Sequence, residues 1–201
     1  MIETTRQAFR GRQPAAAVSR LFLERWSPRA FSTRPVPDDV LASLFEAARW
    51  SPSCFNEQPW LFVYANDEEG LASLRGLLVE ANLAWNQATP VLALLAARLH
   101  FTRHGKPNRH AGFDSGAAWA SLALQAHALG LAAHAMAGFH RDRAHALLGL
   151  PEDEWDPMCM IAIGYPGDAA DLPERLRERD RPSDRKPAAD VARRIGRPAG
   201  A

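Results

Sequence analysis

Pro90-Val-Leu-Ala-Leu-Leu-Ala-Ala97 is the stretch that decides the fold. It contains no charged side chain and no hydroxyl group, and it is much too short to span a bilayer. A continuous apolar run of this length is typical of a strand that is covered on both faces, because a half-exposed strand alternates apolar and polar residues. The sequence therefore predicts a central strand with packed layers on either side.

Helical and extended patterns alternate on both sides of this strand. Apolar residues recur at helical spacing after Val36-Pro37-Asp38-Asp39, where proline and acidic residues favour a helix start. The other predicted elements are a strand at Trp60–Ala65, a helix capped by Asp67, a nearly all-apolar helix at Asp114–Leu129 stopped by Gly130, a strand at Leu131–Ala137, a helix at Arg141–Leu148 stopped by Gly149 and a strand at Met158–Gly164. This alternation indicates an α/β or α+β domain, and we predict an α+β fold with a mixed central sheet flanked by helices.

Composition excludes several classes of protein. The 201 residues include 24 basic and 23 acidic side chains, a near balance that favours neither a nucleic acid nor an acidic membrane surface as partner. Cys54 and Cys159 are the two cysteines; they form no CxxC motif, and they are compatible with a reducing cytoplasm. The seven histidines make no recognised ligand pattern, so no metal is predicted.

Arg25-Trp26-Ser27-Pro28-Arg29-Ala30-Phe31 is a first candidate binding motif. Two guanidinium groups flank a hydroxyl, and together these donors suit a phosphate. A solvated basic turn accounts for the same residues, and composition alone favours that interpretation.

Ser51-Pro52-Ser53-Cys54-Phe55-Asn56-Glu57-Gln58-Pro59-Trp60 is a second candidate motif. Its amides both donate and accept hydrogen bonds, as the polar edge of a heterocycle requires, and it lies between a predicted helix and a predicted strand. A well-capped turn explains the pattern equally well.

Taken together and in this order, the two motifs resemble the opening signature of the nitroreductase family. Ser53, Asn56, Gln58, Pro59 and Trp60 match that signature, whereas Cys54 replaces its second serine. Further similarity is carried by Asn82–Trp85, Asp114–Leu131, His134–Phe139, Ile161–Pro166 and Arg185–Pro187. The resemblance implies a three-layer fold, an intertwined homodimer and FMN bound at the dimer interface.

The resemblance also implies roles for side chains at the cofactor. Arg25, Ser27 and Arg185 would bind the phosphate, with Trp26 alongside. Arg29 would approach the ribityl chain or the pyrimidine carbonyl, and Asn82 would bond the pyrimidine edge. The residues that would reach the cofactor from the partner subunit are Ser53, Cys54 and Asn56.

The backbone of four consecutive residues would lie along the isoalloxazine ring: Ala135, Met136, Ala137 and Gly138. The N–H of Ala137 or Gly138 would point at flavin N5, and Gly138 would permit the close approach of the chain to the ring. No side-chain acid or base is then required, because the cofactor performs the difficult step.

The implied activity is that of an FMN-dependent oxidoreductase that takes electrons from NADH or NADPH. By ping-pong hydride transfer through N5 it would reduce electron-poor small molecules such as nitroaromatics, quinones or enals. A flavin-binding storage or sensor protein without turnover is the alternative, and dehalogenation or flavin breakdown ranks lower. The loop at 100–112 could shape the substrate pocket.

For domain organisation, we expect a flexible N-terminal arm at residues 1–17 and a single FMN-binding domain at 18–201. The proline-rich and charged stretch 166–201 is expected to be an extended tail that crosses the partner subunit.

Overall fold

The computed structural model describes residues 4–196. By their contacts these residues form two compact units, one from the chain up to Glu24 together with the chain from Pro182, the other from Arg25 to Arg181. The expected division into an arm at 1–17 and a domain at 18–201 stays a prediction.

The elements are numbered in chain order. The strands are β1 (Thr4–Thr5), β2 (Val18–Ser19), β3 (Trp60–Ala65), β4 (Val91–Arg98), β5 (Ala132–Met136) and β6 (Trp155–Gly164). The helices are α1 (Arg20–Glu24), α2 (Asp38–Arg49), α3 (Glu68–Arg75), α4 (Glu80–Leu83), α5 (Ala111–Ala128), α6 (Arg141–Leu148), α7 (Glu174–Arg177) and α8 (Ala188–Val191). None of the helices within residues 4–196 combines the length and apolar character needed to cross a membrane.

The smaller unit is built from the two ends of the described chain. β1 pairs antiparallel with β2, which leads directly into α1. The guanidinium of Arg12 is buried and donates to the carbonyl oxygens of Leu23 and Ser183, at 2.7 and 2.9 Å. This one side chain therefore links the N-terminal and C-terminal segments of the unit.

The larger unit contains a four-stranded sheet in the order β3-β4-β6-β5. All three pairings are antiparallel, whereas the sequence led us to expect a mixed sheet. The difference has a simple physical origin: a continuous apolar run reveals that a strand is buried, but it carries no information on the direction of its neighbours. The α+β class itself is confirmed.

β4 separates two hydrophobic cores. Leu92, Leu94 and Ala96 point into one core, which is completed by α3, β5 and the Trp85 indole. Val91, Ala93 and Leu95 point into the other, which α2 and α5 cover. Because strand side chains alternate between faces, an unbroken apolar strand serves both cores, and three layers result.

The predicted elements agree closely with the observed ones, with two informative exceptions. β6 begins at Trp155, three residues before the predicted Met158. Pro157, which cannot donate to a ladder, lies at an irregularity in the pairing with β4, so the strand continues past it. α5 begins at Ala111 rather than Asp114, since the first turn of that helix carries no apolar periodicity.

Candidate active site

The segment from Pro28 to Phe31 is held on the larger unit by three separate contacts. The carboxylate of Asp180 accepts the N–H groups of Arg29 and Ala30, at 2.7 and 3.3 Å. Nδ1 of His134, on β5, lies 2.8 Å from the carbonyl oxygen of Pro28. The carbonyl of Ala30 accepts the Gly167 N–H at 2.9 Å. The backbone of the first motif is thus fixed by β5 and by the chain beyond β6.

The polar side chains of the first motif differ in their partners. Nη1 of Arg25 lies 3.3 Å from Oγ of Ser27, so a guanidinium and a hydroxyl meet on this segment. Arg29 is half-buried, and its guanidinium has no hydrogen bond or ion pair with any of the described residues. Trp26 is half-buried between the two arginines. A partly desolvated cation without a partner is costly unless an anion joins it.

His134 links the first motif to the end of β5. Its ring lies against Trp85, with centroids 4.9 Å apart. Because a carbonyl oxygen only accepts, the Nδ1 that faces Pro28 must carry the proton. Burial lowers the pKa of His134 and the neighbouring Arg29 acts in the same direction, while the Pro28 carbonyl and Asp180 oppose the shift.

The pKa of His134 predicts how stability depends on pH. A histidine whose pKa is depressed on folding contributes stability above its unfolded value, about 6.5, and that contribution is lost as the pH falls below it. We therefore expect the free energy of unfolding to fall as the pH is lowered below about 6.5, and His134→Gln to remove part of this fall. Urea titrations of both proteins across this range test it; parallel profiles would contradict the prediction.

The second motif adopts a strained backbone. Phe55, Asn56 and Gln58 have φ angles of 56°, 58° and 51°, in the left-handed region that side chains rarely occupy. The loop is held from both sides: Asp114 of α5 accepts the Cys54 N–H at 3.0 Å, and Oγ of Ser53 accepts the Gln58 N–H at 3.0 Å. Such conformations cost about 1–3 kcal/mol each and concentrate at functional sites.

The end of β5 meets α4 at Gly138. Nδ2 of Asn82 donates to the carbonyl of Gly138 at 2.9 Å. A Cβ on Gly138 would lie 2.8 Å from that same Nδ2 and 2.9 Å from Cγ2 of Val79, so the glycine is required by its own chain as well as by any ligand. Within the described residues, the N–H groups of Ala137 and Gly138 have no acceptor.

The four residues of this edge differ in exposure. Met136 is buried, and its Sδ lies 3.2 Å from Nδ2 of the fully buried Asn86. Ala137 is exposed, and Ala135 and Gly138 are half-buried. Met136 can therefore offer only its backbone to a ligand, as the sequence analysis assumed for all four residues.

The comparisons with known proteins agree on one family. The sequence model of the nitroreductase family matches residues 23–94 and 79–165, which is most of the chain. The chain belongs to the nitroreductase family.

Individual relatives point the same way. The chain is 31% identical to an NADH dehydrogenase of Thermus thermophilus, over 77% of this chain and 89% of that protein. It is also 31% identical to a Xanthomonas oryzae protein provisionally named NADH dehydrogenase/NAD(P)H nitroreductase, over 79% of this chain and 89% of that one. A crystal structure described as an oxidoreductase containing FMN is 43% identical and superposes with a TM-score of 0.90, covering 97% of this chain and all of that one.

In this nitroreductase-family chain, the predicted site residues fall into three groups. Arg25, Trp26, Ser27 and Arg29 lie on one anchored segment, which the buried Ala30 and Phe31 attach to the core containing Trp85 and Met136. Met136 belongs to the same core, and Asn82 is hydrogen-bonded to Gly138 two residues further on, whereas Ala135 packs against the other core. Ser53, Cys54 and Asn56 instead attach to α5, which covers the other core, on the opposite face of the sheet.

Arg185 stands apart from these groups. It belongs to the smaller unit and is exposed. Its Nη1 donates to the carbonyl and hydroxyl oxygens of Ser183, at 3.1 and 3.3 Å. Its role at a phosphate stays a prediction.

Two residues that matter for the site were missed. Asp180 positions the first motif, although it lies in a charged stretch without a local signal. His134 was noted only within a motif, and its contact with Pro28 spans 106 positions of the chain. Both contacts join residues that are far apart in the sequence, so they become visible only in the folded structure.

Two observations within residues 4–196 bear on cysteine and metal chemistry. Cys54 and Cys159 are both free, and burial raises the pKa of Cys159 to about 11. A thiol with such a pKa is almost entirely protonated at neutral pH and is a poor nucleophile. No group of three or more His, Cys, Asp or Glu side chains in this part of the chain could hold a metal ion.

Proposed function

We propose that this protein is an FMN-dependent oxidoreductase that uses NADH or NADPH to reduce electron-poor small molecules, such as nitroaromatics, quinones or enals. The observation that carries the proposal is the anchored segment that bears Arg29, whose guanidinium has no partner among the described residues, together with the N–H groups of Ala137 and Gly138, which have no acceptor there. Membership of the nitroreductase family, and relatives described as containing FMN or named for NAD(P)H, support it.

The donors fit the phosphate end of FMN. Arg25 and Ser27 lie within hydrogen-bonding distance of each other and could both donate to one phosphate group. On the resemblance to the nitroreductase family alone, Arg185 is proposed as a third donor. Asp180 and His134 do not touch the phosphate in this proposal; they hold the backbone that presents Arg25 and Ser27.

The donors also fit the ring of FMN. The unpaired cation of Arg29 would stabilise negative charge on the pyrimidine edge of the ring. The N–H group of Ala137 or of Gly138 would donate to flavin N5, the atom that accepts hydride. Oδ1 of Asn82 is left to accept from the ring, because Nδ2 is already used by the carbonyl of Gly138.

When bound, FMN takes two electrons from the nicotinamide donor and passes them to the acceptor. The protein orients the ring, supplies fixed dipoles at its edges and leaves one face open for donor and acceptor in turn. Among the residues assigned here, no side chain is needed to hold or move a proton.

We further propose that the active protein is a homodimer with FMN at its interface. Ser53, Cys54 and Asn56 attach to the opposite face of the sheet from Arg29 and Gly138, which supports a site completed by the partner subunit. α5 presents an uncovered apolar side chain, Phe113, that is 81% exposed in the single chain. Light scattering should find a dimer, and a monomer that retains FMN would overturn this assignment.

The absorbance spectrum of the purified protein tests the activity. We expect a flavin band near about 450 nm that NADH or NADPH bleaches without oxygen, and that an added nitroaromatic or quinone restores. A yellow protein that neither donor bleaches would favour the storage or sensor alternative. A colourless protein that cannot be reconstituted with FMN would overturn the proposal.

A further inference from the structure

A cluster of aromatic and basic side chains, all exposed except the buried Phe101, joins the second motif to the loop that follows β4. The guanidinium of Arg103 lies over the ring of Phe55, 3.9 Å from its centroid. The ring of Phe55 meets that of Phe101 edge to face, with centroids 6.1 Å apart, and His104 packs on the other side of Phe101 at 5.0 Å. We call Phe55, Phe101, Arg103 and His104 the ring–guanidinium cluster.

The cluster is held in place by the backbone around it. The carboxylate of Glu57 accepts the N–H of Thr102 at 2.5 Å, which ties the second motif to the loop that carries Arg103. The N–H of Phe101 donates to the carbonyl of Lys106 and closes this loop upon itself. The relative position of Phe55 and Arg103 is therefore set by two hydrogen-bonded turns.

Phe55 is unfavourable in two independent ways. Its φ of 56° places a bulky residue in the left-handed region, and its side chain is 70% exposed. Folding gains nothing from exposing an aromatic ring on a strained backbone. A ligand that stacks on the ring would recover the lost contact area, and strained positions concentrate where ligands bind.

The basic side chains of this loop form no direct ion pair within residues 4–196, although the Glu57 carboxylate interacts electrostatically with Arg103. In the described part of the chain, Arg103, Lys106 and Arg109 form no salt bridge. Glu57, which is electrostatically coupled to Arg103, already accepts the Thr102 N–H. A guanidinium stacked on a ring keeps its N–H edge free, and that edge matches a phosphate or a carboxylate.

We propose that the ring–guanidinium cluster binds an anionic group carried next to a planar ring: Phe55 contacts the ring and Arg103 binds the anion. This inference rests on the proposed function, because Phe55 lies between Cys54 and Asn56, which we assign to the cofactor. The anion comes either from the adenosine 2′-phosphate of NADPH or from an acidic aromatic acceptor. In both cases the cluster selects among reactants and takes no part in electron transfer.

Steady-state kinetics of the FMN-loaded protein distinguish the two sources. NADPH and NADH differ by one phosphate, and 4-nitrobenzoate and 4-nitrobenzyl alcohol differ by one charge. Arg103→Ala removes a charged hydrogen bond to the anion and should raise KM for the compound that carries it about ten-fold or more. If the anion is the 2′-phosphate, KM rises for NADPH and much less for NADH. If it is the carboxylate of the acceptor, KM rises for 4-nitrobenzoate and much less for 4-nitrobenzyl alcohol. Phe55→Leu should raise KM for both members of the affected pair.

Arg49→Ala is the matched control. Arg49 is also an exposed arginine that lies over an aromatic ring, that of Trp50 at 4.7 Å, but it is paired with Glu46. We expect this variant to leave both KM ratios unchanged. Arg103→Ala that keeps the wild-type ratios for both pairs would overturn the inference.

The two proposals fail in different ways. If wild-type protein binds no FMN, or no donor bleaches it, the proposed function fails before the cluster is tested. If wild-type protein turns over and Arg103→Ala discriminates as the wild type does, the cluster alone is wrongly assigned.

Discussion

Replacing Gly167 with alanine is expected to lower the stability of the protein and its affinity for FMN together. The new Cβ would lie 2.6 Å from the carbonyl carbon of Phe31 and 2.7 Å from its oxygen. These are backbone atoms, so no side-chain rotation relieves the clash, and the pairing between Phe31 and Pro166 must open. The loss should be about 1–3 kcal/mol in the free energy of unfolding.

FMN affinity should fall with stability because the same contact carries the first motif. The Gly167 N–H donates to the carbonyl of Ala30, one residue after Arg29. Urea unfolding and fluorescence titration with FMN measure the two effects. Gly76→Ala is the control, since Gly76 is exposed, has an ordinary φ of −60° and would meet the Ser73 carbonyl at 3.2 Å. If the two variants are equally stable, the backbone at Phe31 can move to accommodate the new Cβ at little cost, and the prediction is wrong.

Arg25→Ala should weaken FMN binding and spare riboflavin binding. FMN and riboflavin differ by the phosphate that Arg25 and Ser27 are proposed to hold, so the ratio of their dissociation constants isolates that contact. A charged hydrogen bond contributes about 1.5–3 kcal/mol, which corresponds to about 10-fold to 150-fold in the dissociation constant of FMN. Titrations of apoprotein with each flavin measure the ratio.

The same ratio serves as an internal control for damage to the fold. A variant that is merely destabilised would lose affinity for FMN and riboflavin alike. Arg185→Ala should change the ratio in the same direction as Arg25→Ala, whereas the distant Arg49→Ala should not change it. Wild-type ratios in both Arg25→Ala and Arg185→Ala would mean that the phosphate lies elsewhere.

Local patterns predicted most of the secondary structure of the larger unit. β3 and α6 have the predicted limits, and Asp67 caps α3 by accepting the Gly70 N–H at 2.9 Å. Gly130 and Gly149 follow their helices with φ of 77° and 60°. These features depend on residues within about one turn of each other, so the sequence shows them directly.

The candidate site could be predicted only in part. Its motifs were visible because each is a short run of unusual composition, and Arg25 does approach Ser27. The strain at Phe55 was not visible, because nothing in the identity of a phenylalanine indicates a positive φ. The antiparallel direction of the strands could not be predicted either, because local sequence patterns indicate whether a strand is buried but not how it pairs with its neighbours.

The sequence by itself determined the family and the order of the main helices and strands of the larger unit, and it indicated side chains that could bind a phosphate and a flavin ring. It did so because periodicity, capping and compact motifs are properties of neighbouring residues. Only the tertiary structure decided that Asp180 and His134 hold the first motif, and that Arg103 lies over Phe55. Those contacts join positions 151, 106 and 48 residues apart, and such contacts form only when the sheet brings distant parts of the chain together.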